Sequence, residues 1–443
     1  MLNLLYHLKI NVSKLLIPYL IKFRAYKLLS ILLIINLSKI KKISPKQKVK
    51  YKVIVLNKSG GTDDLIESQK RYNNNFLYLS CPRDIFNSIC ETMLGKGYDN
   101  DKEFFSKKFI KKRKKYQNFL IILLKELKKN YNFKAFITFN FNYLSEIDLH
   151  AACEKSKIPC LMLYKESVAT EIVDKYRNFF LKKTNQKFNG HKIAVYSNLG
   201  KNFLINSGVS KKKQIEVIGC SRLNRSFLYK KITPENQIIY YSIEGSKGIS
   251  TYFKIFGKKF FNEFKKHELR NPKYDLQKLH FKIVNILKNF AKKNHNVLIL
   301  IKIKIGDNYN EKLYNNLPEN IKILYTGVGH KFLKKSKIVI GWNTTAILEG
   351  IAANRFILMP YFFKKNIKIK KKDELNLNLS KKSYAHSEKD FYDKLYYLTK
   401  KKYNINKTYN NQSSIKYYLG NSDNRAGLRL DRFLKKNILH TYY

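Results

Sequence analysis

Acidic residues are scarce in this chain: 32 Asp and Glu stand against 88 Lys and Arg in 443 residues, a formal charge of +56. Such an imbalance attracts nucleic acid, anionic lipid or anionic substrates. Lysine, asparagine, isoleucine and tyrosine are enriched together, so biased codon usage accounts for part of it. Cysteine is sparse. Cys81, Cys90, Cys153, Cys160 and Cys220 include no pair at C-x-x-C spacing. The odd count argues against a disulfide scaffold or zinc knuckle, and for reduced, buried thiols in a cytosolic compartment. Long hydrophobic runs are missing too. The uninterrupted stretch "LLSILLIINL" is too short to span a bilayer, and no small-residue cleavage site follows it. Neither the dinucleotide fingerprint nor the phosphate-loop lysine signature occurs. No acid-x-acid pair stands in a metal-binding context. Asp148 and His150 have the spacing, but they fall in a helix, where residues two apart do not share a face. We therefore expect neither a catalytic metal nor a cofactor. No nucleic-acid recognition module stands out, and the charge is spread along the whole chain.

What is present begins with residues 1–46, apolar but punctuated by Lys22, Arg24 and Lys27. This composition predicts an amphipathic helical extension lying on an anionic membrane surface. The alternatives are a helix packed on the protein body and a true span. From Tyr51 onward, short β-branched runs alternate with helical patterns, which predicts α/β architecture with mostly parallel sheets. "FLYKKITPENQ" marks a boundary before a fresh strand at Gln237. The expected domains are 47–230 and 237–400, with C-terminal helices over 401–443 able to cross back to the first domain. Residues 363–383 are of low complexity and predict a mobile or exposed loop.

Ligands in open α/β sheets sit outside the carboxyl ends of the strands. In "KIVIGWNTTAILEGIAANRFILMP", strand Ile338–Ile340 runs into Gly341, then Asn343, Thr344 and Thr345 at a helix start. Unpaired N–H groups and hydroxyls there suit an anion, although the same residues cap helices with no ligand present. Glu349, one turn in, either accepts from a sugar hydroxyl or faces solvent. Lys302 and Lys304 are two apart on a strand and so point to one face, toward a ligand or toward solvent. Asp63 and Asp64 follow the turn Ser59–Gly61, where they serve as site acids or as first-turn helix acids.

The 337–360 stretch resembles the C-terminal domain of GT-B type glycosyltransferases, a superfamily that includes nucleotide-sugar 2-epimerases and bacterial surface-carbohydrate and capsule transferases. Ala353, Asn354 and Arg355 replace its usual glycine-proline. "IPCLMLYKES", "KIAVYSNLGKNFLINSGVSKKKQIEVIGCSRLNR", "VLILIKIK" and "DNRAGLRLDRFL" resemble further segments of the surface-carbohydrate group. The resemblance implies two Rossmann-like domains facing a central cleft, with Gly219 and Arg222 closing the first. It implies that Arg222, Lys302 and Lys304 steady a donor diphosphate, that Thr326 and His330 contact the base, and that Glu349 binds ribose. An inverting transfer also needs a base on the first domain, for which Asp64 and Glu166 lead. The implied activity is transfer of a sugar, or a sugar or polyol phosphate, from a nucleotide-activated donor to a surface polysaccharide or lipid-linked glycan. Its place would be the inner face of the plasma membrane, with no specific nucleic-acid partner. Alternatives are an epimerase or hydrolase of the same fold, a nucleic-acid-binding protein, or a non-catalytic assembly protein.

Overall fold

The computed structural model describes residues 2–40, 50–58, 60–72, 75–95, 98, 104–166, 168–243, 276–303, 311–325, 329–362, 374–420 and 422–439. Lys304, Thr326 and residues 363–373 of the low-complexity stretch lie outside them. Two units are distinguishable: residues 1–167, 176–222 and 425–443 form one, and residues 168–175 and 223–424 the other.

The first unit opens with helices α1 (Leu2–Lys22) and α2 (Tyr26–Asn36) and the short strand β1 (Ser38–Lys39). Strands β2 (Tyr51–Leu56), β3 (Phe76–Cys81), β4 (Phe133–Thr138), β5 (Cys160–Tyr164), β6 (Lys192–Val195) and β7 (Ile215–Val217) follow. Between them run α3 (Gly61–Tyr72), α4 (Arg83–Leu94), α5 (Lys107–Tyr131), α6 (Leu144–Lys155), α7 (Glu171–Thr184, of which the residues from 176 on belong to this unit) and α8 (Asn198–Asn206). The sheet order is β1-β3-β2-β4-β5-β6-β7, and all pairs are parallel except β1 with β3. Val53–Leu56 and Cys160–Tyr164 are buried throughout, as strands covered on both faces must be. The chain leaves β2 for β3 on one side and then passes to β4 on the other. The direction of winding therefore reverses between β2 and β4.

The second unit contains α9 (Leu223–Tyr229), β8 (Gln237–Tyr241), α10 (Leu276–Lys293), β9 (Leu298–Lys302), β10 (Ile321–Leu324), β11 (Ser336–Ile340), α11 (Thr345–Ala352), β12 (Phe356–Pro360), β13 (Tyr384–Ala385), α12 (Glu388–Lys400) and α13 (Ser413–Leu419). Its sheet is wholly parallel in the order β10-β9-β8-β11-β12-β13. That is the doubly wound 3-2-1-4-5-6 arrangement, reversing between β8 and β11. Two Rossmann-like α/β units, the fold class expected from the strand-helix alternation, are thus present.

The last helix, α14 (Ala426–Leu439), belongs to the first unit. Leu430, Phe433, Leu434 and Ile438 join Leu65 of α3 over one face of the first sheet. Ser68 donates to the Gly427 carbonyl at 2.8 Å, and Arg429 to that of Ile218 at 2.8 Å. Over the other face, Ile10 and Ile17 of α1 and Leu29 and Leu33 of α2 share a core with α4, α5 and α6. The amino-terminal extension is thus a pair of helices broken at Arg24, whose φ is +52. One face is packed and the other is exposed. None of the described helices is long and apolar enough to cross a membrane. In the described part of the low-complexity stretch Asn376, Asn378, Ser380, Lys381 and Lys382 are exposed, while Leu375 and Leu377 are buried and the Leu375 N–H donates to Asn343 Oδ1 at 3.0 Å. All five cysteines are buried free thiols.

Candidate functional site

At the reversal point of the first sheet, the turn after β2 carries Lys58, Gly60 and Gly61. Gly60 has φ +81, a left-handed backbone that favours glycine. A Cβ on Gly61 would stand 2.1 Å from the Phe139 ring, so the second glycine admits a core ring beside the backbone. Asp64, in the first turn of α3, is buried and fully engaged. Its Oδ1 accepts from the Arg222 backbone N–H at 2.7 Å. Its Oδ2 accepts from the Tyr196 hydroxyl at 2.6 Å and Arg222 Nη1 at 3.1 Å. Burial pushes its carboxyl above the usual range, against the opposing pull of Arg222. Nη1 of Arg222 also reaches the Gly60 carbonyl at 3.3 Å. Gly219, at φ +83, turns the chain after β7 toward Arg222. Lys165 lies near the same turn, its Nζ and Arg222 Nη1 each 3.7 Å from where a Gly60 Cβ would be. Burial lowers the Lys165 pKa, with Lys58 and Arg222 adding to the effect and Glu166 opposing it. Glu166 is half-exposed, 3.7 Å from Lys165 Nζ, and its backbone carbonyl accepts from Arg177 at 2.9 Å.

The loop after β4 brings a second group of residues to the same edge. Tyr143 presents its ring to the Arg83 guanidinium, 3.7 Å from the centroid, and to the Lys58 ammonium at 5.1 Å. Glu146, in the first turn of α6, is 1% exposed. Its Oε1 accepts from Arg83 Nε at 2.5 Å. Its Oε2 is buried with no hydrogen-bond partner among the described residues. Burial raises its pKa to about 7, although Arg83 and Lys58 pull the other way. Asp148, two residues on, is equally buried but saturated: Arg113 grips it at 3.0 and 2.9 Å, and Gln117 donates at 2.6 Å. His150 faces Thr138 at 3.1 Å, and burial lowers its pKa to about 3. Asp148 and His150 therefore serve different neighbours. No group of three or more potential metal-ligating side chains occurs among the described residues.

The second sheet reverses between β8 and β11, where the turn Gly341–Thr344 leads into α11. Asn343 has φ +46 and its side chain holds the Leu375 N–H. Thr344 is the N-cap, accepting from the Ala346 N–H at 3.4 Å, and Thr345 is the first helical residue. A Cβ on Gly341 would press within 3.1 Å of Thr344 and 3.2 Å of Ile347. Glu349 is half-buried one turn in, close enough to Tyr241 at the end of β8 to raise its pKa further above the effect of burial. Tyr241 donates to the Gly329 carbonyl at 3.0 Å. His330, buried, meets Arg225 Nη1 at 2.7 Å. Since arginine only donates, Nε2 accepts and the ring proton sits on Nδ1. Lys302 ends β9 with Nζ on the Ile303 carbonyl at 2.8 Å, and burial lowers its pKa.

The sequence-predicted residues thus fall into separate groups. Asp64, Gly219 and Arg222 meet at one edge, with Glu166 beside Lys165. Gly341, Asn343, Thr344, Thr345 and Glu349 meet at the other. Glu146, Arg83, Lys58, Lys165 and Tyr196 were missed. For Glu146 a signal existed, because it lies just past the end of a strand at a reversal point. Its pairing with Arg83, 63 residues away, had none.

No family model matches the chain. No curated protein matches it either. Among solved structures it is similar to the wall teichoic acid polymerase TagF, at 12% identity and a TM-score of 0.47, over 98% of this chain and 99% of that one. It is also similar to S. aureus MnaA in a structure with UDP, at 10% identity and a TM-score of 0.46, over 87% and 96% of the two chains. A third is the UDP-GlcNAc 2-epimerase from Neisseria meningitidis bound to UDP-GlcNAc, at 11% identity and 0.43, over 82% and 97%. At these identities and TM-scores the likenesses assign no reaction to the chain.

Proposed function

We propose that the chain is a metal-independent transferase. It moves a sugar, or a sugar or polyol phosphate, from a nucleotide-activated donor to a cell-surface polysaccharide or lipid-linked glycan, peripherally at the cytoplasmic face of the plasma membrane. The observation that carries this reading is the turn Gly341–Thr345 at the reversal point of a 3-2-1-4-5-6 parallel sheet. Such a point is where doubly wound sheets take nucleotides. The positive end of the α11 dipole suits a diphosphate, and Glu349 suits a ribose diol. Lys302, Lys304, Thr326 and His330 are assigned to the same donor by the sequence resemblance. In the first unit, Arg222 is the anion-binding cation. Asp64 and Tyr196 hold its guanidinium in place, a positioning role that suits an aspartate whose oxygens are both engaged. Glu166, half-exposed, is left as an acceptor contact.

The membrane part of the reading is supported by α1 and α2. Leu8, Val12, Leu15, Leu16, Tyr19 and Phe23 are exposed along α1 and its end, and Leu28, Ile31 and Ile35 along α2. Lys9, Lys14, Lys22, Arg24 and Lys27 are interspersed. Apolar side chains entering the acyl boundary beside cations facing anionic headgroups is how an interfacial helix binds.

Calorimetric titration with UDP, GDP, CDP and CMP, with and without magnesium, tests the donor site. One nucleotide should bind tightly, indifferent to magnesium, and lose affinity in Thr345→Ala and Glu349→Ala. A folded protein that binds none of them refutes the reading.

A further inference from the structure

We propose that Glu146 is the general base of this transferase, taking the acceptor hydroxyl's proton on Oε2 while Arg83 fixes Oε1. The proposal rests on the transferase reading above.

Asp64, Asp148 and Glu146 are three of the five buried carboxylates among the described residues of the first unit. In Asp64 and Asp148 both oxygens are held by donors of the chain itself. Glu146 has one oxygen held by Arg83 and the other buried and unpartnered among the described residues. A buried carboxylate oxygen without a donor is costly, and it persists where something else supplies the donor. A hydroxyl is the donor a base requires.

Position agrees. Glu146 follows β4 at the reversal point between β2 and β4, the crevice where doubly wound sheets bind ligands. The charged groups facing it are Arg83 from α4 and Lys58 from the turn after β2, both laid on the Tyr143 ring. From α5, Arg113 faces Asp148 instead. Burial lifts the carboxyl to about 7, so near neutral pH it can accept a proton and pass it on. Asp431 of α14 also has an unpartnered buried oxygen, but it lies mid-helix, paired with Lys435 and away from any strand end.

The step balances as follows. The acceptor O–H proton passes to Glu146 Oε2, and the freed oxygen pair bonds to the donor carbon or phosphorus. The bond from that centre to the nucleotide's phosphate oxygen breaks, and its electrons leave with the nucleotide.

The test uses the full chain with carbon-13-labelled glutamate side chains, titrated by NMR from mildly acid to mildly alkaline pH. One carboxyl should titrate near neutrality, and its signal should vanish in Glu146→Gln. The nucleotide sugar matching the tightest-binding nucleotide is then supplied with water as acceptor. Glu146→Gln should keep nucleotide affinity, lose on the order of a hundredfold or more in turnover, and lose the acid limb of the kcat/KM profile. Arg83→Met should keep the limb but move it to higher pH, because Arg83 is the cation that favours the carboxylate. If Glu146 titrates with the ordinary glutamates, or Glu146→Gln keeps both rate and limb while binding nucleotide, the proposal is overturned alone. If wild-type protein binds no nucleotide, the transferase reading falls and takes the proposal with it.

Discussion

Arg355 shows how a buried cation can be held by backbone carbonyls and a single hydroxyl alone. It is fully buried and is paired with no carboxylate among the described residues. Instead it donates to the carbonyls of Tyr229, Ile232, Leu333 and Lys334 and to the Tyr403 hydroxyl, at 2.9 to 3.1 Å. Tyr229 ends α9, and Leu333 and Lys334 end the short 3-10 turn Gly329–Lys334, so one cation caps two carbonyl-rich termini. Asn354, at φ +59, ties the same corner to Lys407 and Tyr409. Asn354 and Arg355 therefore serve packing and hydrogen bonding inside the second unit. Arg355→Met should cost about 3 kcal/mol or more, since several carbonyls lose their donor. A urea midpoint unchanged from wild type would refute this. Glu146 makes the opposite prediction. Its carboxyl is raised from 4.5 to about 7 in the folded state, so the fold holds a proton that the unfolded chain has already released. Wild-type stability should therefore fall as pH rises from about 4.5 through about 7, by up to roughly 3 kcal/mol. Denaturant curves of Glu146→Gln across that window should lack this slope.

Among elements, α1 and α2 carry the clearest unspent surface. Ile10, Ile17, Leu29 and Leu33 fix them to the first unit, and the opposite apolar face remains exposed. Replacing Leu15 and Phe23 by Glu should weaken sedimentation with phosphatidylglycerol vesicles by on the order of tenfold per residue. Added salt should weaken it further, through screening of the lysines. Equal binding of wild type and variants would assign this face to something other than lipid. The turn between β2 and α3 needs two glycines for two different reasons. Gly60 adopts a left-handed backbone, and Gly61 lies against Phe139. Only the first of these needs could be anticipated from a glycine pair after a strand.

At the scale of the molecule, two α/β units imply two unfolding transitions rather than one. Nucleotide at a hundredfold excess over Kd should stabilise by about 2.7 kcal/mol. Calorimetry should find that gain in the transition that Arg355→Met lowers. A shift confined to the other transition would move the donor site out of the second unit.

The sequence by itself determined the parallel α/β class, because short apolar runs such as Tyr51–Leu56, Cys160–Tyr164 and Phe356–Pro360, alternating with helical patterns, suit strands covered on both faces. It also determined the turn Gly341–Thr345, because glycine, cap and helix start are neighbours in the chain. Tertiary structure alone decided which acids are structural. Asp64 is claimed by Arg222 and Tyr196, 158 and 132 residues away, and Asp148 by Arg113. Whether a carboxylate is saturated or left with a free oxygen depends on donors brought from distant strands and helices, and on how much water the packing removes. Neither quantity is local, so the order of residues places Glu146 after a strand but does not show that Arg83 holds one of its oxygens and leaves the other without a donor.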